Sequence, residues 1–241
     1  MTTKFNLLFF DISETSINEY KNTIGEVNEI KIQYLHTNVT DLIKSKTIHI
    51  IVSPANCLGF MDGGIDMYYM QLFPGIQNTV QDKIRSFGII SALGRPILPI
   101  GSAMIVPTRS EDCPLMACVP TMFLPENING TQNVYWAMRG LLILLDTKID
   151  DGVNLTIGVP CFGTGVGKLS ASESATQVKN ALHDHINKQN TTKIPLFAFE
   201  DGTLPKNSYV LKNFACKQPV TYSNTEIQPE TFNDLLNSKY K

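Results

Sequence analysis

Short runs of consecutive apolar residues, many of them β-branched or aromatic, recur along the 241-residue chain between segments whose apolar positions follow a helical period. Apolar runs of about four to eight residues bounded by turn residues are typical of strands that are buried on both faces of a sheet. We therefore predict strands at residues 5–10, 30–36, 48–53, 97–106, 115–124, 155–160 and 194–199.

Between these runs, apolar residues recur every three or four positions, which indicates helices with one side against a core. The predicted helices cover residues 14–22, 65–73, 77–87, 134–145 and 171–187. Alternating strands and helices predict an α/β fold with helices on both faces of the sheet. The helix at 134–145 is apolar on nearly every side, so we expect Trp136 to lie in the core.

One domain accounts for most of the chain. A hydrophobic content of 43% is enough to bury a full core in a chain of this length. Beyond Gly202 the composition becomes polar. We predict a domain over residues 1–202 and a polar C-terminal extension over 203–241, either packed on the domain or trailing from it.

The charge pattern limits the expected partners. The formal net charge is −2 and no basic run is present, which argues against electrostatic binding to nucleic acid. No stretch is apolar for long enough to cross a bilayer, and the N-terminus lacks a secretory apolar region. The five cysteines lack zinc-binding spacing. We therefore expect no metal and no membrane partner, and a cytoplasmic or nuclear location.

A glycine-rich loop follows the predicted strand at 155–160, with Gly163, Gly165 and Gly167 at alternate positions. Such glycines let the backbone approach a ligand and direct successive N–H groups into one concavity, which binds anions. Ser170 and Glu173 have capping-box spacing at the start of the next helix, and a helix N-terminus also favours anions. The loop predicts a phosphate site, and a tight strand-to-helix turn is the alternative.

A second glycine loop follows the predicted strand at 48–53. Residues 53–66 read SPANCLGFMDGGID, so Gly63 and Gly64 lie beside the start of a predicted helix. Because the carboxyl ends of parallel strands lie at one edge of a sheet, we expect the two loops to face each other across a crevice.

These motifs resemble those of the macro domain family, which comprises ADP-ribose-binding modules and ADP-ribose-processing hydrolases. The family's Asn-Ala-Ala-Asn motif corresponds to residues 53–56, its glycine run with the following acid to 62–66, and its Leu-Gly-Thr-Gly loop to 162–165. The similarity extends over roughly residues 5–201 and is greatest to fungal members regarded as ADP-ribose-1''-phosphate phosphatases. It implies a three-layer αβα fold with a mixed, mostly parallel sheet.

The resemblance implies removal of the terminal phosphate of ADP-ribose-1''-phosphate by an oriented water, without a cofactor. Residues 163–167 would hold the diphosphate and residues 63–64 the distal phosphate. Two alternatives stay open: a non-catalytic reader of ADP-ribose or ADP-ribosylated proteins, and a hydrolase of the ADP-ribosyl–protein ester. The partners implied are ADP-ribose, its phosphorylated derivatives and ADP-ribosylated proteins.

Three residues are candidates for catalysis. The amide of Asn56 can bond ribose hydroxyls, or it bonds its own backbone as a turn asparagine. Asp66 matches the acid after the family's glycine run and either activates a water or complements the helix dipole. Asp62 stands where the family usually has glycine, and is either a base or a solvent-facing loop residue. Ser53 and Pro54 depart from the family motif, so the hydrogen bonding behind the site must differ.

For the adenine end, the resemblance points to Asn38 and to the ring of Phe199, with Phe197 as a competing ring. Asn38 takes the position of an aspartate that accepts a hydrogen bond from the adenine amino group. The other predicted ligand contacts are Val39, Ala55, Gly63, Gly64, Ile65, Gly163, Thr164, Gly165, Val166 and Gly167.

Overall fold

The computed structural model describes residues 5–27, 29–150 and 153–187. Strands and helices alternate along most of this part of the chain. The elements are β1 (Phe5–Asp11), α1 (Glu14–Ile24), β2 (Lys31–His36), α2 (Val39–Lys44), β3 (Ile50–Ser53), α3 (Gly64–Leu72), α4 (Ile76–Phe87), β4 (Met104–Pro107), β5 (Leu115–Cys118), α5 (Asn133–Lys148), β6 (Leu155–Pro160) and α6 (Ala171–Ile186).

The strands form one sheet in the order β2-β1-β6-β3-β5-β4. Neighbours are parallel except β4, which is antiparallel to β5. Because strand residues alternate between faces, Leu7 and Phe9 of β1 pack in one core, and Leu8 and Phe10 pack in a second. Helices α1, α5 and α6 cover the first face, and α2, α3 and α4 cover the second. The predicted three-layer α/β fold with a mixed, mostly parallel sheet is confirmed.

Three helices begin at a side-chain cap. Ser13, Asn38 and Ser170 each accept a hydrogen bond from the backbone N–H three residues further on, which satisfies one of the donors at a helix start. Helix α3, in contrast to these three, has Gly63 as its N-cap and no side-chain cap. The N–H groups of the first turn of α3 are therefore left for other acceptors.

The position of a crevice follows from where the chain goes after each strand. After β6 the chain enters α6 on the first face, and after β3 it enters α3 on the second face. Strands β3 and β6 are neighbours in the sheet. Their following loops therefore diverge and leave a gap at the carboxyl ends of the strands, which is the usual ligand position in open α/β sheets.

Two predicted strands are shorter than expected. The strand predicted at 97–106 is reduced to β4, because residues before it form a turn in which the Ser102 N–H donates to the Pro99 carbonyl. The strand predicted at 115–124 ends at Cys118. Pro120 has no N–H to donate, although Thr121 still donates to the Ala55 carbonyl. Helix α2 was not predicted, because a six-residue helix is too short to show a period.

The prediction that Trp136 lies in the core is wrong, since its side chain is 52% exposed. Helix α5 is in an outer layer, so one of its sides faces solvent even though its sequence is apolar all round. Ala137, Met138 and Leu141 occupy the buried side. Gly140 faces the loop before β4, where a Cβ would lie 2.6 Å from the carbonyl oxygen of Gly101.

The predicted strand at 194–199, with Phe197 and Phe199, and the predicted boundary at residue 202 lie outside the described residues. Strand β6 is paired with β1 on one side and with β3 on the other. The described sheet therefore leaves only the outer edges of β2 and β4 for a further strand. Within residues 5–27, 29–150 and 153–187, the structure contains no helix long and apolar enough to span a membrane.

Candidate functional site

A crevice of about 710 Å³ opens at the carboxyl ends of β1, β2, β3 and β6. A volume of this order accommodates a ligand the size of a nucleotide. The two glycine loops face each other across it, as the sequence predicts. Every described residue that the sequence analysis selected lines it, namely Asn38, Val39, Ala55, Asn56, Asp62, Gly63, Gly64, Ile65, Asp66, Gly163, Thr164, Gly165, Val166 and Gly167.

The loop of residues 163–167 lines the crevice with backbone, and most of its donors are unused. The Thr164 N–H closes a turn with the Cys161 carbonyl, whereas the N–H groups of Gly163, Gly165, Val166 and Gly167 donate to no described residue. Its carbonyls, in contrast, are engaged, because those of Gly163, Gly165 and Gly167 each accept from a backbone N–H. The loop is held mainly through its acceptors, and its unused donors are left for an anionic ligand.

The three glycines of this loop are needed for different reasons. A Cβ on Gly167 would lie 2.7 Å from the carbonyl oxygen of Gly163. Gly163 has a φ of +70°, which disfavours residues with a side chain. A Cβ on Gly165, however, would have nothing within 4 Å. The loop conformation requires Gly163 and Gly167, and Gly165 keeps the crevice open.

Two residues that the sequence analysis missed hold the start of this loop. The Phe162 N–H donates to the hydroxyl of Tyr20 at 2.9 Å, and Ser174 Oγ donates to the Phe162 carbonyl. Because the Ser174 proton is used in that bond, the 2.6 Å contact between the hydroxyls has Tyr20 as donor. Burial raises the pKa of Tyr20, so its hydroxyl keeps its proton. The signal in the sequence is weak, because Tyr20 is a single polar group on the buried side of α1 and Ser174 is one of two buried polar residues of α6.

Asn56 is a turn asparagine, which is one of the two interpretations that the sequence left open. Its Oδ1 accepts from the N–H groups of Leu58 at 3.1 Å and Phe60 at 3.2 Å, and its Nδ2 donates to the Phe60 carbonyl at 2.7 Å. An amide has two lone pairs and two N–H bonds. One Nδ2–H is therefore the group left for a ligand, and a catalytic role for Asn56 stays a prediction.

Asn38 is engaged in a similar way at the start of α2. Its Oδ1 accepts from the Asp41 N–H at 2.9 Å, and its Nδ2 donates to Asp41 Oδ2 at 2.7 Å. Asn38 lies in the crevice wall, but its amide serves as the helix cap. Recognition of adenine by Asn38 stays a prediction.

The end of β1 adds Asp11 and Ile12 to the crevice, and the sequence analysis selected neither. Ile12 is 73% exposed, which is unusual for an isoleucine. Asp11 Oδ1 accepts from the Ser13 N–H at 2.8 Å. No glycine follows β1, and the polar residues after Ile12 form the cap and first turn of α1. Only the position of this strand next to β6 therefore reveals that its end borders the crevice.

Asp66 is the buried acid of the crevice. It lies in the first turn of α3, is 7% exposed and accepts a hydrogen bond from Ser53 Oγ at 2.6 Å. Burial raises the pKa of Asp66 to about 7; the Ser53 hydrogen bond opposes this rise and the charge of Asp62 adds to it. Asp62 itself is exposed to solvent. Asp66 thus exchanges a proton near neutral pH, as a general base requires.

The charge of the crevice is unusual for a phosphate site. Its charged lining residues are Asp11, Asp62 and Asp66, and none of the described lining residues is a lysine, arginine or histidine. Within the described parts of the chain, no group of three or more histidine, cysteine or acidic side chains is arranged to hold a metal ion. A phosphate would have to be bound by backbone N–H groups and by the N-terminus of α3.

The chain matches no protein-family model and no curated protein. It is similar to solved macrodomain structures. The macrodomain of Mycobacterium tuberculosis DarG is 17% identical, with 59% of this chain and 84% of that chain covered and a TM-score of 0.44. For the Oceanobacillus iheyensis macrodomain with ADP, the identity is 20%, the coverages are 56% and 68%, and the TM-score is 0.44.

Thermosipho africanus DarTG in complex with ADP-ribose is 15% identical, with 72% of this chain and 49% of that chain covered and a TM-score of 0.48. Because these TM-scores are below 0.5, the description of the fold rests on the sheet order and the two helical layers.

Proposed function

We propose that the chain binds ADP-ribose in the crevice and hydrolyses a bond at its distal ribose. One observation carries this proposal: the unpaired N–H groups of residues 163–167 lie across the crevice from the α3 N-terminus, which bears the buried acid Asp66. The first feature suits a diphosphate and the second suits activation of water. The resemblance of the loop motifs to the macro domain family supports the same ligand.

Binding would rest on backbone donors. The loop of residues 163–167 offers the N–H groups of its three glycines and Val166, and the uncapped first turn of α3 offers more at its positive dipole end. Preorganised backbone donors bind an anion without a cation because their dipoles are fixed before the ligand arrives. Phe162 holds one end of that arrangement in place, because its N–H donates to the Tyr20 hydroxyl and its carbonyl accepts from Ser174 Oγ.

In the hydrolytic step, the Asp66 carboxylate takes a proton from a water whose oxygen attacks the distal end of the ligand. A bond forms from the water oxygen to the attacked atom, and the bond to the leaving group breaks with its electron pair. A base whose pKa is near the working pH is suited to this transfer, and Asp66 meets that condition.

Charge distinguishes two possible reactions. Attack on the anomeric carbon of an ADP-ribosyl–protein ester releases a carboxylate from a linkage that is uncharged in the ground state. Attack on ADP-ribose-1''-phosphate requires a phosphate dianion beside Asp62 and Asp66, with no cation among the described lining residues. Like charges in one crevice repel, so the acidic lining supports the ester hydrolase best.

The rim of the crevice supports the same choice. Phe60, Met67 and Tyr68 line it and are each more than two-fifths exposed. A group of exposed apolar side chains beside a ligand site suits contact with a polypeptide, which a free nucleotide does not need. The phosphatase is the second candidate, and it is supported by the similarity of the loop motifs to fungal phosphatases.

Calorimetric titration with ADP-ribose tests the binding step. Turnover is then measured with a glutamate-ADP-ribosylated peptide and with ADP-ribose-1''-phosphate, for the wild type and for Asp66→Asn. Release of ADP-ribose from the peptide, lost in the variant, supports the ester hydrolase, and faster release of phosphate would establish the second candidate instead. Binding without turnover of either substrate would indicate a reader, and no binding would overturn the proposal.

A further inference from the structure

Ser53, the last residue of β3, faces the helix that carries the acid. Side chains alternate along a strand, so Ile50 and Val52 contribute to the core on the face of α1, α5 and α6, and Ile51 to the core on the opposite face. Ser53 is two residues beyond Ile51 and points to the same face, on which α3 packs. It is fully buried, and its hydroxyl needs a partner there.

Two hydroxyl groups connect α3 with β3. Ser53 Oγ donates to Asp66 Oδ1 at 2.6 Å, and the Tyr69 hydroxyl donates to the Val52 carbonyl at 2.9 Å. Asp66 and Tyr69 are three residues apart, so they lie on the same side of α3. The bond from Tyr69 fixes the helix to the strand, whereas the bond from Ser53 reaches the carboxyl group that lines the crevice.

The groups that face Asp66 are acidic or neutral. Burial is the main cause that raises the pKa of Asp66, of Tyr69 on α3 and of Cys118 on β5. The charge of Asp62 in the preceding loop adds to the rise at Asp66, and the charge of Asp66 adds to the rise at Tyr69 and Cys118. No cation among the described residues balances the carboxylate. The Ser53 hydroxyl is therefore the one described side chain that stabilises the charged form of Asp66.

We propose that Ser53 is a positioning residue for Asp66: its hydroxyl holds Oδ1, so that the other carboxyl oxygen, Oδ2, faces the crevice and exchanges a proton with the attacking water. This inference rests on the proposed hydrolysis for its role in catalysis. The hydrogen bond itself is independent of the substrate. Oδ2 has no partner among the described residues, and Asp66 belongs to the crevice lining.

The arrangement fixes the course of the proton. The Ser53 proton stays on Oγ throughout, because Oδ1 only accepts it in a hydrogen bond. The proton that leaves the water goes to Oδ2. Since a carboxylate accepts a stronger hydrogen bond than a neutral carboxyl group, the Ser53 bond favours the charged form that can act as a base.

The test compares Ser53→Ala with Tyr69→Phe, because each variant removes one hydroxyl between α3 and β3. The titration of Asp66 is followed by NMR of protein labelled at the aspartate carboxyl carbons, with Asp66→Asn used to assign its signal. We expect Ser53→Ala to raise the titration midpoint by about one to two pH units and Tyr69→Phe to leave it within about 0.3 units. Equal midpoints in the wild type and folded Ser53→Ala would overturn the proposal.

Kinetics give a second measurement that a purely structural role would not change. With a turned-over substrate, Ser53→Ala should lower kcat about tenfold at pH 7, leave KM within about twofold, and move the acid limb of the pH–rate profile upward. Tyr69→Phe should leave that limb in place. Identical pH profiles for the two variants would contradict the positioning role.

Two further variants cover the case in which Ser53→Ala does not fold. Ser53→Thr keeps the hydroxyl and should keep the wild-type midpoint, whereas Ser53→Cys has a weaker donor and should raise it. The reverse order, or no difference between the two, overturns the proposal. If Asp66 titrates as expected but neither substrate is turned over, the proposed hydrolysis fails and the positioning of Asp66 by Ser53 stands.

Discussion

The two glycine loops lie on opposite walls of one crevice and are built on different principles. The loop after β6, residues 163–167, contains no charged residue, and its start is held by buried hydrogen bonds between Phe162 and the hydroxyls of Tyr20 and Ser174. The loop after β3 carries Asp62 in solvent and leads to Asp66, which is buried. One wall thus offers fixed donors, and the other offers acids.

The two walls are suited to different tasks, ligand binding and catalysis, which the sequence motifs alone do not distinguish. A rigid loop with unpaired N–H groups can bind a diphosphate without contributing to a reaction. A buried acid that exchanges a proton near neutral pH lowers the stability of the fold, and such acids are typical of catalytic sites. Variants on the two walls should therefore affect binding and turnover separately.

The largest effect is expected on the donor wall. Gly165→Val should weaken ADP-ribose binding at least 100-fold, because the new side chain would enter open space in the crevice beside the unpaired N–H groups. The fold should be preserved, since nothing lies within 4 Å of the Cβ position. Calorimetry measures the affinity, and thermal melting measures the fold.

Gly167→Val is the matched control for that experiment. Its Cβ would lie 2.7 Å from the Gly163 carbonyl oxygen, so this variant should lower the melting temperature, whereas Gly165→Val should not. Normal ADP-ribose affinity in Gly165→Val would show that the diphosphate is not bound at this loop.

On the acid wall, Asp66→Asn should lower turnover at least 100-fold with ADP-ribose affinity unchanged within about threefold. Asparagine keeps an acceptor for Ser53 Oγ but cannot take a proton from water. The readout is release of ADP-ribose or phosphate under single-turnover conditions. Asp62→Asn is the comparison, because the exposed Asp62 should change turnover less than about threefold. Equal losses in both variants would mean that Asp66 is not the base.

The features of the donor wall could be predicted from the sequence because they depend on local backbone properties. Glycine at alternate positions after an apolar run, followed by Ser170 and Glu173, specifies a loop and a capped helix without long-range information. The strand Leu155–Pro160 was predicted with its exact bounds for the same reason.

Features that depend on distant contacts were not predictable. Tyr20 meets Phe162 across 142 residues of sequence, and Asp11 reaches the crevice only because β1 lies between β2 and β6. Asn56 and Asn38 line the crevice, but the sequence left open whether the Asn56 amide bonds its own backbone and did not show that the Asn38 amide caps α2. Motif spacing locates a site, whereas side-chain partners require the fold.

The anchoring of the donor wall can be tested by removing one hydroxyl. Tyr20→Phe leaves the buried Phe162 N–H without its acceptor and removes the donor to Ser174 Oγ, although Ser174 still donates to the Phe162 carbonyl, so the variant should destabilise the fold by about 2 kcal/mol. ADP-ribose binding should weaken about three- to tenfold because the loop start is less fixed. Tyr34→Phe is the control: its hydroxyl donates to the Gly25 carbonyl away from the crevice. Equal losses of affinity would show that Tyr20 has no specific role in the loop.

The acid wall should also make the stability of the fold depend on pH. The pKa of Asp66 rises from 3.8 in the unfolded reference to about 7 in the folded chain, so the folded state holds the extra proton between these values. Wild-type stability should therefore fall relative to Asp66→Asn as pH rises from about 4 to 7. By pH 8 the variant should have gained on the order of 4 kcal/mol over the wild type, measured by denaturant unfolding. A difference that does not change with pH would mean that Asp66 is charged throughout, and the acid wall would then lack the neutral-pH base that distinguishes it from the donor wall.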